Sequence, residues 1–211
     1  MGVILNKKLE DNSILGMWEI TEDTDTLLQQ VKLSDTELER FYGFSSHARK
    51  LEFLSVRALL AKMVNPDTKI VYDENRKPYI NGGSHNISIS HSKKLTSILL
   101  NKTKRVGIDL EYMSHRIRKV AHKFINKDEL ITKNYLTEKY HLYIHWCAKE
   151  ALYKICDKKD LNFKLNLFIK PFQLNNKGII KGKVDSKRIN EEFDLNYFKY
   201  DNYIIVYTSK V

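Results

Sequence analysis

The chain has 211 residues, of which 42% are hydrophobic and 29% charged, and its formal net charge at pH 7 is +10. That length allows one or two domains with a sizeable core, which sets bulk disorder aside, and no run approaches the ~18 apolar residues of a membrane span. The positive excess suits an anionic partner, whether nucleic acid, a phosphorylated cofactor, an acidic protein or an acidic membrane, without choosing among them.

The N-terminus lacks the apolar region and cleavage site of a signal peptide, so a cytoplasmic protein is expected. Leu5-Asn6 does not fit a myristoylation signal. Cys147 and Cys156, if helical, lie on opposite sides of the helix and roughly 13 Å apart along it. That exceeds the reach of a disulfide, so both are read as free thiols in a reducing compartment.

Residues 14–20 read as a first strand and 23–31 as a short helix. Ser34 and Glu37 fit a capping box, opening a helix with Leu38, Phe41 and Tyr42 at helical spacing. After Gly43, Ser45 or Ser46 caps a longer helix over 47–64, with an apolar stripe of Leu51, Leu54, Ala58, Leu59 and Ala61; Pro66 ends it. Strands are predicted over 69–72, 78–80, 86–91, 96–101 and 106–113, with turns at 81–84 and 92–94. Helical segments are expected over 117–123 and 127–131, then a long helix over 137–156. Strands return over 165–169, 177–184, 193–200 and 203–208. Helices followed by strands, twice over, predict an α+β chain of two halves, 1–105 and 106–211.

Three segments carry chemistry. In Val106-Gly107-Ile108-Asp109-Leu110-Glu111-Tyr112, strict alternation puts Gly107, Asp109 and Glu111 on one strand face. Two neighbouring carboxylates repel unless a cation or proton intervenes, so a hard divalent ion suits them. Gly107 leaves room there, or allows close approach of another backbone. On the long helix, Ile144, Ala148, Ala151, Leu152 and Ile155 form an apolar back, and Trp146, Lys149, Glu150, Tyr153 and Lys154 fall opposite. Trp146 suggests that this charged face is also covered. In Asn86-Ile87-Ser88-Ile89-Ser90-His91-Ser92, His91 ends a strand between two hydroxyls, an arrangement suited to phosphate contact.

Other chemistry is weakly supported. No G-x-x-x-x-G-K-[ST], G-x-G-x-x-G or G-x-S-x-G pattern is present. His141 and His145 stand at i, i+4 but lack the H-E-x-x-H pattern and a third ligand; exposed or half-buried histidines are the expectation. The basic stretch 177–188 reads as a solvated hairpin face, and no nucleic-acid-binding motif accompanies the charge.

Taken in order, Ser90-His91-Ser92, Gly107-Ile108-Asp109-Leu110-Glu111 and Trp146…Lys149-Glu150-Ala151…Lys154 resemble the Sfp-type 4′-phosphopantetheinyl transferases of the holo-acyl-carrier-protein synthase superfamily. Asn75-Arg76-Lys77-Pro78-Tyr79 is similar to the family's G-K-P segment, with Arg76 in place of Gly. Glu39-Arg40 through Leu60 resembles its N-terminal helical region more loosely.

The resemblance implies two similar α+β halves packed as an intramolecular pseudo-dimer, with the active site in the cleft between them. It also implies transfer of the 4′-phosphopantetheine arm of coenzyme A to a serine of an acyl or peptidyl carrier protein, releasing 3′,5′-ADP. Asp109, Glu111 and Glu150 would hold Mg²⁺. Lys154 would stabilise the leaving pyrophosphate group, and Glu150 would take the serine proton. Ser90 and His91 would contact coenzyme A phosphates, Lys149 would assist, and Arg40, Arg49 and Lys77 are the candidates for the 3′-phosphate. The expected partner is an acidic carrier protein, with no nucleic acid or membrane, and a monomer suffices. The mixed basic and apolar segment 116–131 suits docking of an acidic helix.

Overall fold

The computed structural model describes residues 2–157 and 160–211. The chain is mixed α/β and divides into two compact units, Met1–Thr103 and Lys104–Val211. No helix among the described residues is long and apolar enough to cross a membrane.

The first unit runs β1 (Gly2–Lys8), β2 (Ile14–Glu19), α1 (Thr24–Gln29), α2 (Asp35–Tyr42), α3 (His47–Met63), β3 (Ile70–Tyr72), β4 (Pro78–Ile80), β5 (Asn86–Ser92) and β6 (Leu95–Asn101). Four strands form an antiparallel sheet in the order β1-β2-β6-β5, and β3-β4 is a separate hairpin. The predicted capping box is present: Glu37 N–H donates to Ser34 Oγ, and Ser34 N–H donates to Glu37 Oε2 at 3.1 Å. Ser46 caps α3 by accepting from Arg49 N–H. α3 packs on β2 and β6, around a core that includes Trp18, Leu27, Phe41, Leu54, Leu59, Ile98 and Leu100. From Phe53 to Leu60 every residue of α3 is buried, a wider buried surface than one apolar stripe. Arg57 is accommodated there by an ion pair to Glu37 at 3.0 Å and by stacking on Phe53.

The second unit runs β7 (Arg105–Tyr112), α4 (Arg116–Val120), a 3₁₀ turn at Ala121–Lys123, α5 (Tyr135–Ile155), β8 (Leu167–Ile169), β9 (Lys177–Asp185), β10 (Asn190–Tyr200) and β11 (Tyr203–Lys210). Its antiparallel sheet has the order β7-β11-β10-β9-β8. α5 lies on β7 and β11, burying Ile144, Ala148, Ala151, Leu152 and Ile155, the five predicted for its apolar back. Cys147 and Cys156 are free and buried.

Two sequence expectations need correction. Strand β1 was not foreseen: only its first residue is buried and its last three are exposed, so it carries little apolar signal. The segment 127–131 is not helical. Glu129 instead turns inward, where its carboxylate accepts from the N–H groups of Asn126 at 2.7 Å and Ile169 at 2.8 Å.

Candidate active site

In the second unit, Gly107 decides how closely α5 approaches β7. A Cβ at Gly107 would overlap the carbonyl oxygen of Ala151 and crowd Ile155. Of the two uses predicted for this glycine, the structure shows close backbone approach. Cys147, Ala151 and Lys154 lie on one stripe of the helix at i, i+4 and i+7, and this contact brings them onto the Asp109 face of the strand; Glu150 stands one turn before Lys154.

Asp109 is only 4% exposed. Its Oδ1 accepts from Lys154 Nζ at 2.7 Å. Lys154 also donates to the Ile108 carbonyl at 2.9 Å. Glu111 and Glu150 are half-buried. The Cys147 thiol records the local field: burial, and then the carboxylates of Asp109 and Glu111, push its pKa well up. It is an inert thiol beside two negative charges, not a nucleophile.

Among the described residues, no three His, Cys, Asp or Glu side chains are gathered as a metal cage. The cation beside Asp109 is the Lys154 ammonium. The donor chemistry nonetheless fits a hard divalent ion, since Asp109, Glu111 and Glu150 offer only carboxylate oxygens.

Lys149, expected to assist with coenzyme A, is placed elsewhere. It is fully buried, and its Nζ donates to the carbonyls of Phe124 (2.5 Å) and Phe163 (3.1 Å) and to Glu129 Oε2 (2.7 Å). An ammonium has three N–H donors, and these three acceptors account for all of them. Trp146 packs on Phe124 and Phe163 with ring centroids 5.1 and 5.5 Å away, so the charged face of α5 is covered there, as Trp146 had suggested. Burial alone would raise the Glu129 carboxyl. The nearby His145 ring and the Lys149 ammonium instead hold it below its ordinary value. At 3.6 Å the His145 contact is long, so the Lys149 charge at 2.7 Å is the firmer hold. His141 and His145 are both buried, contrary to expectation, with Phe172 packed against both rings.

In the first unit the candidate phosphate ligands fall into two groups. Arg40 stacks on Tyr72 at 4.2 Å, and Lys77 Nζ lies 5.2 Å from the Tyr79 ring, so both border the β3-β4 hairpin. Arg76, where the family pattern has Gly, adopts a left-handed φ of 61°. The turn is held by Asp73, whose Oδ1 accepts from the N–H groups of Asn75 and Lys77. The second group is Arg49 with His91: NH1 of Arg49 lies 2.8 Å from His91 Nε2. Ser90 is buried in β5, and its carbonyl accepts from Ser97 Oγ.

Sequence reasoning missed two carboxylates in these networks. Glu129 carried no motif. Glu52 bonds both Arg49 and His91, and its signal was the polar spacing Arg49, Glu52, Ser55 at i, i+3, i+6 along α3.

Residues 105–208 match the family model of the 4′-phosphopantetheinyl transferase superfamily. Over this stretch, which contains β7, α5 and the Asp109–Lys154 pair, the chain belongs to that superfamily. The match indicates a transferase of the phosphopantetheinyl class. Comparison with curated proteins gives no match.

Proposed function

We propose that the protein transfers the 4′-phosphopantetheine arm of coenzyme A to a serine of an apo acyl or peptidyl carrier protein and releases 3′,5′-ADP. The observation that carries this reading is the Lys154–Asp109 contact beside Glu150, built on the Gly107–Ala151 approach. The serine oxygen attacks the β-phosphorus, the bond from that phosphorus to the bridging oxygen breaks, and the ADP moiety leaves with the electron pair. Glu150 accepts the serine proton. Lys154 stabilises charge developing on the leaving pyrophosphate oxygen. Arg40, Arg49, Lys77, Ser90 and His91 are the proposed contacts of the coenzyme A phosphates. Asp109, Glu111 and Glu150 would hold Mg²⁺, which when bound supplies electrostatic stabilisation of phosphate charge. Transfer of this kind rests mainly on positioning and electrostatics, and these residue types provide both.

An acidic helix of the carrier is the proposed occupant of an open groove in the second unit. Ala121, Ile125, Ile131 and Leu142 line it with apolar surface, and Lys127 and Lys164 with positive charge, while Arg118 is paired with Glu138 at 2.6 Å. Charge complementarity to an acidic partner supports this placement, as does the overall +10.

The test is incubation with apo carrier protein, coenzyme A and Mg²⁺, followed by intact-mass measurement. The expected result is addition of one phosphopantetheine arm to the carrier. No gain on fatty-acid, polyketide or nonribosomal-peptide carriers, together with no binding of coenzyme A, would sink the reading.

A further inference from the structure

The polar stripe of α3 meets the end of β5 in a closed set of contacts. Ser55 Oγ lies 2.7 Å from Thr96 Oγ1 in a buried hydrogen bond that pins α3 to β6. Thr96 is the cross-strand partner of His91. Glu52, one turn before Ser55, lies beside the Nδ1 edge of the His91 ring. Glu52 Oε2 is 3.3 Å from His91 Nδ1 and 3.0 Å from Arg49 NH1, and the same NH1 is 2.8 Å from His91 Nε2.

These contacts fix the state of the ring. A guanidinium only donates, so Nε2 facing Arg49 must be the acceptor. The ring proton is then on Nδ1, directed at Glu52, and His91 is neutral. Glu52 is less than one-fifth exposed. Burial would raise its carboxyl, but the hydrogen bond from His91 and the bond and charge of Arg49 hold it below its ordinary value. Each side-chain hydrogen bond described for Arg49 uses NH1, and the guanidinium lies over Phe44 at 5.7 Å. One nitrogen is thus anchored, and the edge formed by Nε and NH2 is left to grip a phosphate bidentately.

The geometry points to Glu52 as a positioning residue: with His91 in its neutral Nδ1–H form, it holds Arg49 as a preorganised fork for a phosphate of coenzyme A. In the free protein His91 thus supports Arg49 from one side while Glu52 holds it from the other. Preorganisation lowers the cost of ordering a long side chain on binding, so removing it weakens coenzyme A binding more than it slows the transfer step run by the second unit. The inference rests on the proposed transferase function, because that reading supplies the phosphate.

Three measurements test it on the full chain. Nitrogen-15 NMR of the free protein should show His91 Nε2 as an unprotonated imidazole nitrogen. In Glu52→Ala that preference should relax toward a mixture of tautomers. Calorimetry should show coenzyme A binding to Glu52→Ala about tenfold more weakly than to the parent, with Glu52→Gln, which keeps an acceptor, in between. In transfer assays KM for coenzyme A should rise by a similar factor while kcat falls much less. A protonated Nε2 in the free protein, or unchanged affinity in a Glu52→Ala protein that melts like the parent, would overturn the inference alone. Failure of the parent protein to bind coenzyme A would overturn the transferase reading and this inference with it.

Discussion

Lys154 Nζ is 2.7 Å from Asp109 Oδ1, an ion pair between the last turn of α5 and a buried strand residue. The contact fixes the lysine head at the carboxylate face and ties it to the Ile108 carbonyl as well. Lys154→Ala removes both the leaving-group stabiliser and the cation at a buried carboxylate. We expect kcat to fall by about 10²–10³-fold and stability to fall by about 3 kcal/mol, near the low end for breaking a buried pair because the lysine is partly exposed. Glu150→Gln should lose roughly 10²–10⁴-fold in transfer with little change in melting. A Lys154→Ala enzyme turning over at the parent rate would remove the lysine from the chemistry.

Gly107→Ala tests the backbone contact that assembles this face. The new methyl meets the Ala151 carbonyl and the Ile155 side chain, so α5 must lift from β7. Overpacking of this kind costs about 1–3 kcal/mol. Displacing the helix turn that carries Glu150 and Lys154 by even an ångström should lower kcat by roughly 10²-fold. Denaturant unfolding and steady-state kinetics of the same preparation check both. A variant that loses stability but keeps its kcat would separate the contact from catalysis.

How far these sites could be read in the sequence follows the same physics. Strict alternation in 106–112 placed Asp109, Glu111 and Gly107 on one face, because strand geometry leaves no other choice. The apolar back of α5 was legible for a similar reason. Lys149 was not: on one face with Glu150 and Lys154 it reads as a coenzyme A contact, and Trp146 hinted only that this face is covered. Segment 127–131 read as helical because periodicity cannot see that Glu129 turns inward to cap Ile169 N–H. Glu52 went unnoticed because its partner His91 is remote in sequence and reaches it only through the β5-β6 hairpin.

The burial of Lys149 gives a prediction that differs from the family expectation. Lys149→Met leaves the Glu129 carboxylate in the core without its nearest cation, and breaking such a pair costs about 3–5 kcal/mol. The folded fraction should retain its KM for coenzyme A within about twofold, since no uniform binding interaction has been removed. Melting curves and KM on the same sample separate the two roles. A rise in KM without loss of stability would restore Lys149 to the coenzyme A contacts.

For the carrier, Lys127 is an exposed residue of the groove lining. Lys127→Glu reverses one groove charge and should raise KM for the carrier by about 3–10-fold, acting mainly through association rate, with a weaker salt dependence than the parent. KM for coenzyme A should not move. Equal carrier KM values for both proteins at low salt would move the docking surface elsewhere.

Acid stability should report the buried histidines. Burial, and then the nearby His145, push the His141 pKa down from 6.5 to about 4. Its Nδ1 accepts from Thr132 N–H at 3.1 Å, so the fold holds the neutral ring. Between those two values the unfolded chain binds the proton and the folded chain does not. Stability therefore rises with pH across this window. His141's contribution is fully present above about pH 6.5 and is lost as pH falls toward 4, and the whole shift corresponds to about 3 kcal/mol. Glu129 acts in the same direction lower down: its depressed carboxyl contributes stability that disappears as pH falls through its folded-state value. His141→Gln keeps an acceptor for Thr132 N–H but cannot titrate. Its loss of melting temperature between pH 7 and pH 5 should be smaller than the parent's, and parallel curves would show that His141 carries no such linkage.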